Sequence, residues 1–119
     1  MKSNNGQDIG IDLVKIERFR EKVFSQNKSF YKKIFTNSEI AYCEKFSDPY
    51  PHFAGKFALK EATQKSIDNP TILNKIETFH NDSKPKVKLN DSEEKYNFIV
   101  SLSHESDYAI AIVLSKKES

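Results

Sequence analysis

The chain is poor in cysteine. Its one residue of that type, Cys43, excludes an internal disulfide and any zinc site built from several thiolates. No apolar run approaches the length needed to span a bilayer. The polar stretch 1–6 lacks the apolar core of a signal peptide, so a reducing cytoplasm is the expected location and no membrane partner is expected. Neither sign of charge dominates: 19 basic against 17 acidic residues leave a formal +2, which argues against a nucleic-acid partner recruited by total charge. Apolar residues are also scarce, at 37%, with a mean hydropathy of −0.67. A chain of 119 residues fits one domain, 1–119, that buries about two thirds of its unfolded surface. So lean a composition suggests that an oligomer contact finishes part of the apolar surface. No internal repeat and no low-complexity linker is present.

What the chain does have is a helical pattern from about His52 to Ile67 with charges inside it. Ala54, Phe57, Ala58 and Ala62 share one face, and Glu61 and Lys65 fall in the middle of that face. Small neighbours suggest close packing. A carboxylate and an ammonium there lose solvent unless something pairs with them, and a metal ion or a phosphate would each serve. Taken alone, Glu61 and Lys65 also read as an ordinary i,i+4 pair contributing about 0.2–0.5 kcal/mol.

Ahead of this helix, Ile9 to Val14 alternates. Ile9, Ile11 and Leu13 point one way; Gly10, Asp12 and Val14 point the other, which predicts a buried strand with a carboxylate on its second face. Ile16, Phe19, Val23 and Phe24 form a helical stripe whose other side carries Lys15, Arg18 and Lys22. Phe30 to Phe35 is a short apolar-basic segment. Thr36 and Glu39 read as a capping box opening a helix to about Lys45, and Ser47 to Pro51 is a loop. Asp68-Asn69-Pro70 ends the long helix. The remainder reads as strands: Ile76–His80, Lys86–Leu89, Asn97–Ser103, and the more continuous run Tyr108–Leu114, suited to a central strand. Helices followed by strands with short turns give an α+β class with a mainly antiparallel sheet.

Asp12 alone reads equally as a cap or a salt-bridge member. Brought beside Glu61, it would repel unless a hard cation such as Mg²⁺ sat between them. Lys65, one turn from Glu61, would then meet a phosphate. His104, closing the strand at Ser101-Leu102-Ser103, reads either as an anion ligand or as a solvated loop residue. Lys84 sits in a turn, free to touch an anion. Arg18 and Lys22 read as a solvated face or as a dock for an acidic partner. Cys43 reads as packing.

Three separated blocks resemble a known family. Ile9-Gly10-Ile11-Asp12 with Ile16-Glu17-Arg18-Phe19, then Phe53 to Ala62 with Lys65, then Ser101-Leu102-Ser103-His104 with Tyr108-Ala109-Ile110-Ala111, are similar to the holo-acyl-carrier-protein synthases. These are the short bacterial type of 4′-phosphopantetheinyl transferase. The likeness runs from about Asp8 to about Leu114. It implies transfer of the 4′-phosphopantetheine arm of coenzyme A to a serine of an apo acyl carrier protein, with adenosine 3′,5′-bisphosphate leaving. It implies Mg²⁺ held by Asp12 and Glu61, and Lys65 facing the phosphates of coenzyme A. Lys56, Lys84 and His104 would line the nucleotide side, and Arg18 and Lys22 would dock the acidic carrier protein. Lys65 and Glu61 would be catalytic, the first on the leaving phosphate and the second on the serine proton, directly or through a water. A homotrimer with interfacial active sites is implied as well.

The pattern also departs from the family. A Gly-Thr-Gly-like turn after the long helix is replaced by Ile67-Asp68-Asn69-Pro70, and Gly-Lys-Pro reads Ser83-Lys84-Pro85. Lys56 stands where arginine is common, and Glu105 where threonine follows the histidine. Two other readings compete. One is a non-catalytic module stacking single-stranded nucleic acid on Tyr50, Phe53, Tyr96 and Phe98. The other is a Mg²⁺-dependent nucleotide hydrolase at the same carboxylates.

Overall fold

The computed structural model describes residues 5–118; residues 1–4, part of the polar N-terminal stretch, and residue 119 lie outside them. Strand β1 (Gln7–Lys15) leads into a single helical turn, α1 (Glu17–Arg20), then α2 (Lys28–Ile34), α3 (Asn37–Glu44) and the long α4 (Tyr50–Ser66). The hairpin β2 (Ile76–Asn81) and β3 (Lys84–Leu89) follows, and β4 (Tyr96–Glu105) and β5 (Tyr108–Lys117) close the chain. Two antiparallel sheets result, one ordered β1-β5-β4 and one formed by β2-β3. The α+β expectation holds, and the apolar run 108–114 is the central strand. The expected helix after β1 shrinks to one turn: Ile16 and Phe19 are buried, but Val23 is exposed.

The alternation in β1 is real, but its buried side is the opposite of the one the isoleucines suggest. Ile9, Ile11 and Leu13 are 54–60% exposed, whereas Gly10 and Val14 face α4 and are buried. Register explains the choice. Gly10 pairs with Val113, Asp12 with Ala111 and Val14 with Ala109, so the inner face of both strands is small or β-branched. The small inner face admits a close-packed helix. A Cβ at Gly10 would lie 1.9 Å from the Ala62 carbonyl oxygen, so β1 and α4 touch backbone to backbone there. The outer face carries Ile9, Ile11, Leu13, Ile110, Ile112 and Leu114 in matched register, with Ile99 beside them.

Helix α4 carries two lysines into the core, and they are not the charges the helical wheel suggests. Lys56 and Lys60 are buried; Glu61 is half-buried and Lys65 is exposed. Partners from distant elements make this tolerable. Lys60 Nζ meets Glu39 Oε1 at 2.7 Å and donates to the Leu73 carbonyl at 3.0 Å and to the Ile76 carbonyl. Glu39, in the capping box of α3, also accepts from the Thr78 amide at 2.7 Å and its hydroxyl at 2.5 Å. One carboxylate thus ties α3, α4 and β2. Around it, Phe19, Tyr31, Phe35 and Phe53 pack ring to ring at 4.6–6.0 Å. Burial pushes the Cys43 thiol up to about 12, so that residue is packing, not chemistry.

Candidate active site

The Gly10–Ala62 contact brings the Lys65 side chain of α4 against β1. Lys65 Nζ donates to the Ile11 carbonyl at 2.9 Å and meets Asp12 Oδ1 at 3.2 Å. The Asp12 side chain is 17% exposed and that of Lys65 56%, so the carboxylate is fixed and the ammonium is reachable from solvent. Glu61 precedes Lys65 by one turn on the same helix edge, half-buried, with no ion pair to a described residue. Asp12 and Lys65 therefore meet at one end of the β1–α4 seam, and Glu61 lies one helical turn before Lys65. No three His, Cys, Asp or Glu side chains among the described residues gather closely enough to hold a metal by themselves. Mg²⁺ needs only one or two protein carboxylates, because it keeps its other positions for water and phosphate oxygens.

A second feature opens beside α1. Arg18, Glu21 and Lys22 rim an apolar hollow of about 520 Å³ floored by Phe19, Phe30, Ile34 and Phe57. The Arg18 guanidinium lies 5.3 Å from the centre of the Phe57 ring and Lys22 Nζ 5.5 Å from that of Phe30. Both cations therefore sit over aromatic faces at the rim of an accessible apolar surface.

The third is a cavity of about 160 Å³ between α3, α4, β2, β3 and β4. Lys56 and His104 line it together with His52, His80, Tyr42, Thr78, Phe79 and Pro85. Lys84 stands next to Pro85 at the exposed start of β3. Lys56 Nζ donates to Thr78 Oγ1 at 3.1 Å and lies 4.7 Å above the Tyr42 ring centre. Burial draws its ammonium below the usual lysine range, opposed by Cys43 and the carboxylates of Glu39 and Glu77. His104 donates its Nε2–H to the Pro51 carbonyl at 3.1 Å. Its ring rests on Gly55, where a Cβ would come within 2.8 Å of Nε2. Asp12, Glu61 and Lys65 do not line this cavity. The residues assigned to one site thus fall into two places along α4.

Sequence reasoning missed His52, His80, Thr78 and Tyr42. The spacing of His52 and Lys56, one helical turn apart, is the only local signal; Tyr42, Thr78 and His80 reach the cavity through tertiary packing. The competing stacking module loses its surface: Phe53 is fully buried, and the Tyr50 hydroxyl accepts from the Phe24 amide. The turn that lacks glycines is pinned by side chains instead. Gln64 clasps both backbone groups of Thr71, Tyr96 receives the Asp68 amide at 3.1 Å, and Asn69 donates to Glu94.

Residues 8–113 match the model of the 4′-phosphopantetheinyl transferase superfamily. The holo-[acyl-carrier-protein] synthase of Thermodesulfovibrio yellowstonii is 35% identical over 91% of this chain and 96% of its own. That of Chlorobaculum parvum is 35% identical over 90% and 96%. The crystal structure of the Helicobacter pylori holo-[acyl-carrier-protein] synthase in complex with coenzyme A is 29% identical, with a TM-score of 0.76 over 91% of this chain and 99% of that one. With a family match across nearly the whole chain and relatives this similar at full length, the chain belongs to the 4′-phosphopantetheinyl transferase superfamily.

Proposed function

We propose that this single-domain chain is a holo-acyl-carrier-protein synthase. It moves the 4′-phosphopantetheine group of coenzyme A to a serine hydroxyl of an apo acyl carrier protein. The serine oxygen attacks the phosphorus bearing the pantetheine; the bond from that phosphorus to the bridging oxygen breaks, and adenosine 3′,5′-bisphosphate leaves. The observation that carries the reading is the β1–α4 seam, where Lys65 and the Asp12 carboxylate meet one helical turn from Glu61.

Asp12 and Glu61 would hold Mg²⁺, which when bound neutralises the pyrophosphate and orients it. Lys65 is long and exposed enough to follow the leaving phosphate and stabilise the charge appearing there. Glu61 takes the serine proton, directly or through a water. Lys56, Lys84 and His104 face the nucleotide. Arg18 and Lys22, held over Phe57 and Phe30, meet the acidic carrier protein, whose apolar side chains fit the hollow below.

The outer face of the β1-β5-β4 sheet supports a homotrimer. A row of seven exposed aliphatic side chains is a surface that a soluble monomer rarely presents. No helix among the described residues is long and apolar enough to cross a membrane, which agrees with a cytoplasmic enzyme.

Mass spectrometry of an apo carrier protein incubated with coenzyme A, Mg²⁺ and this chain tests the reading. The carrier gains one phosphopantetheine, and Glu61→Ala abolishes the gain while its circular dichroism stays native. Unmodified carrier, or normal turnover by Glu61→Ala, refutes it. Release of the bisphosphate without any carrier assigns the site to a hydrolase.

A further inference from the structure

All three histidines of the chain line a single cavity together with Lys56, and no carboxylate lines it. We propose that His52 and His80 act with His104 and Lys56 as a single anion-binding cavity, in which imidazole protonation accompanies capture of a phosphate monoester of the nucleotide. The inference rests on the transferase reading and names the residues that set the pH dependence of its nucleotide affinity.

The geometry is that of a built site. Phe46 stacks on His52 at 3.6 Å and 14°, and Tyr42 stacks on His80 at 4.9 Å and 23°. Stacking fixes each ring plane and leaves its nitrogen edge free to donate. His104, 6.4 Å from His52, already donates from Nε2, so its Nδ1 is the atom available to a second partner. Lys56 donates to Thr78 and contributes the lysine ammonium, which burial draws below its usual range. His52 and His80, both held below the usual imidazole range, add charge to the cavity only in acid.

The surroundings favour neutral rings in the free protein. Burial and His104 hold His52 below the usual range; only Asp48, in the α3–α4 loop, pulls the other way. Burial and then Lys56 do the same for His80 on β2. Glu39 of α3 and Glu77 of β2 act on Lys56, itself bonded to Thr78; Lys45, just after α3, lies over the far partner, Tyr42; Lys84 of β3 and Glu105 of β4 are exposed at the margins. A bound dianion reverses the balance for both imidazoles, since each N–H then gains a charge-assisted hydrogen bond. Affinity must rise as pH falls through the ligand-bound histidine range, and binding in that window must take up protons.

Calorimetry with adenosine 3′,5′-bisphosphate and the full chain reads this directly. In buffers of different ionisation enthalpy, binding at slightly acid pH takes up protons. The ratio of parent to His80→Gln affinity grows about tenfold between roughly pH 8 and roughly pH 5.5, the size of one charge-assisted hydrogen bond. His52→Phe, which keeps the stack on Phe46, behaves alike. Because the ratio compares proteins at one pH, titration of the ligand's own phosphate cancels. In the parent, the imidazole proton resonances of His52 and His80 titrate at higher pH with bisphosphate than without. A ratio that is flat with pH, with unmoved resonances, overturns the inference even if carrier modification proceeds. No bisphosphate binding at any pH and no carrier modification overturns the transferase reading with it.

Discussion

Gly10→Ala tests whether the seam between β1 and α4 positions the chemistry. The added Cβ would lie 1.9 Å from the Ala62 carbonyl oxygen and 2.8 Å from its carbon, both backbone atoms in the middle of a packed helix. Real contacts of this kind start near 3.0 Å, so the two elements must separate by at least 1.1 Å (3.0 less 1.9) at that point. The same shift would stretch the 2.9 Å bond from Lys65 to the Ile11 carbonyl beyond hydrogen-bonding range and carry Lys65 away from Asp12. Overpacking of this kind costs about 1–3 kcal/mol, and the rigid partner puts Gly10→Ala near the upper end. For a domain of this size that lowers the melting temperature by roughly 10 °C. A displacement of about 1 Å between catalytic groups reduces turnover on the order of a hundredfold. Thermal melting followed by circular dichroism, and the mass-spectrometric transfer assay below the melting range, measure the two effects separately. Native melting with full turnover would show that backbone contact at Gly10 does not set the Asp12–Lys65 geometry.

The remaining predictions address other parts of the fold. Ser83 and Asp82 sit at φ of +66° and +53° in the β2–β3 turn, a geometry that favours glycine, so Ser83→Gly raises stability by about 1 kcal/mol in urea titrations. An unchanged midpoint would refute the strain. Glu39→Met strands the buried Lys60 ammonium and costs about 3–5 kcal/mol, whereas adding Lys60→Met recovers most of it; chemical denaturation of both variants measures the coupling. Ile112→Glu places a charge at the centre of the exposed sheet face and dissociates the proposed homotrimer, as read by sedimentation; parent protein sedimenting as a monomer would remove the assembly.

Much of the local structure was legible because its causes are local. The Thr36–Glu39 capping box opens α3 as its spacing indicates, and the Asp68–Pro70 segment follows the end of α4, which begins at Tyr50, two residues inside the expected loop. Asp12, Glu61 and Lys65 are grouped by their resemblance to a family pattern, and the structure brings two of them, Asp12 and Lys65, into contact. The burial assignments within α4 failed for a physical reason. A helical wheel treats every lysine as a cost, but Lys56 and Lys60 are stabilised by Thr78 and Glu39, residues 22 and 21 positions away. Nothing within one or two turns announces such partners.

The same division governs the chain as a whole. Periodicity, caps and turn residues, each an interaction among near neighbours, indicated the strands and the helices α3 and α4, but not α2, and three spaced blocks marked the family. Which face of β1 turns inward was decided only in three dimensions, because alternation defines two faces without ranking them. The ranking came from α4, which presses its backbone onto Gly10 and leaves the larger isoleucines outside. The gathering of His52, His80 and His104 into one cavity was likewise a product of tertiary packing, since three separate elements deliver those rings and no short stretch of chain contains more than one.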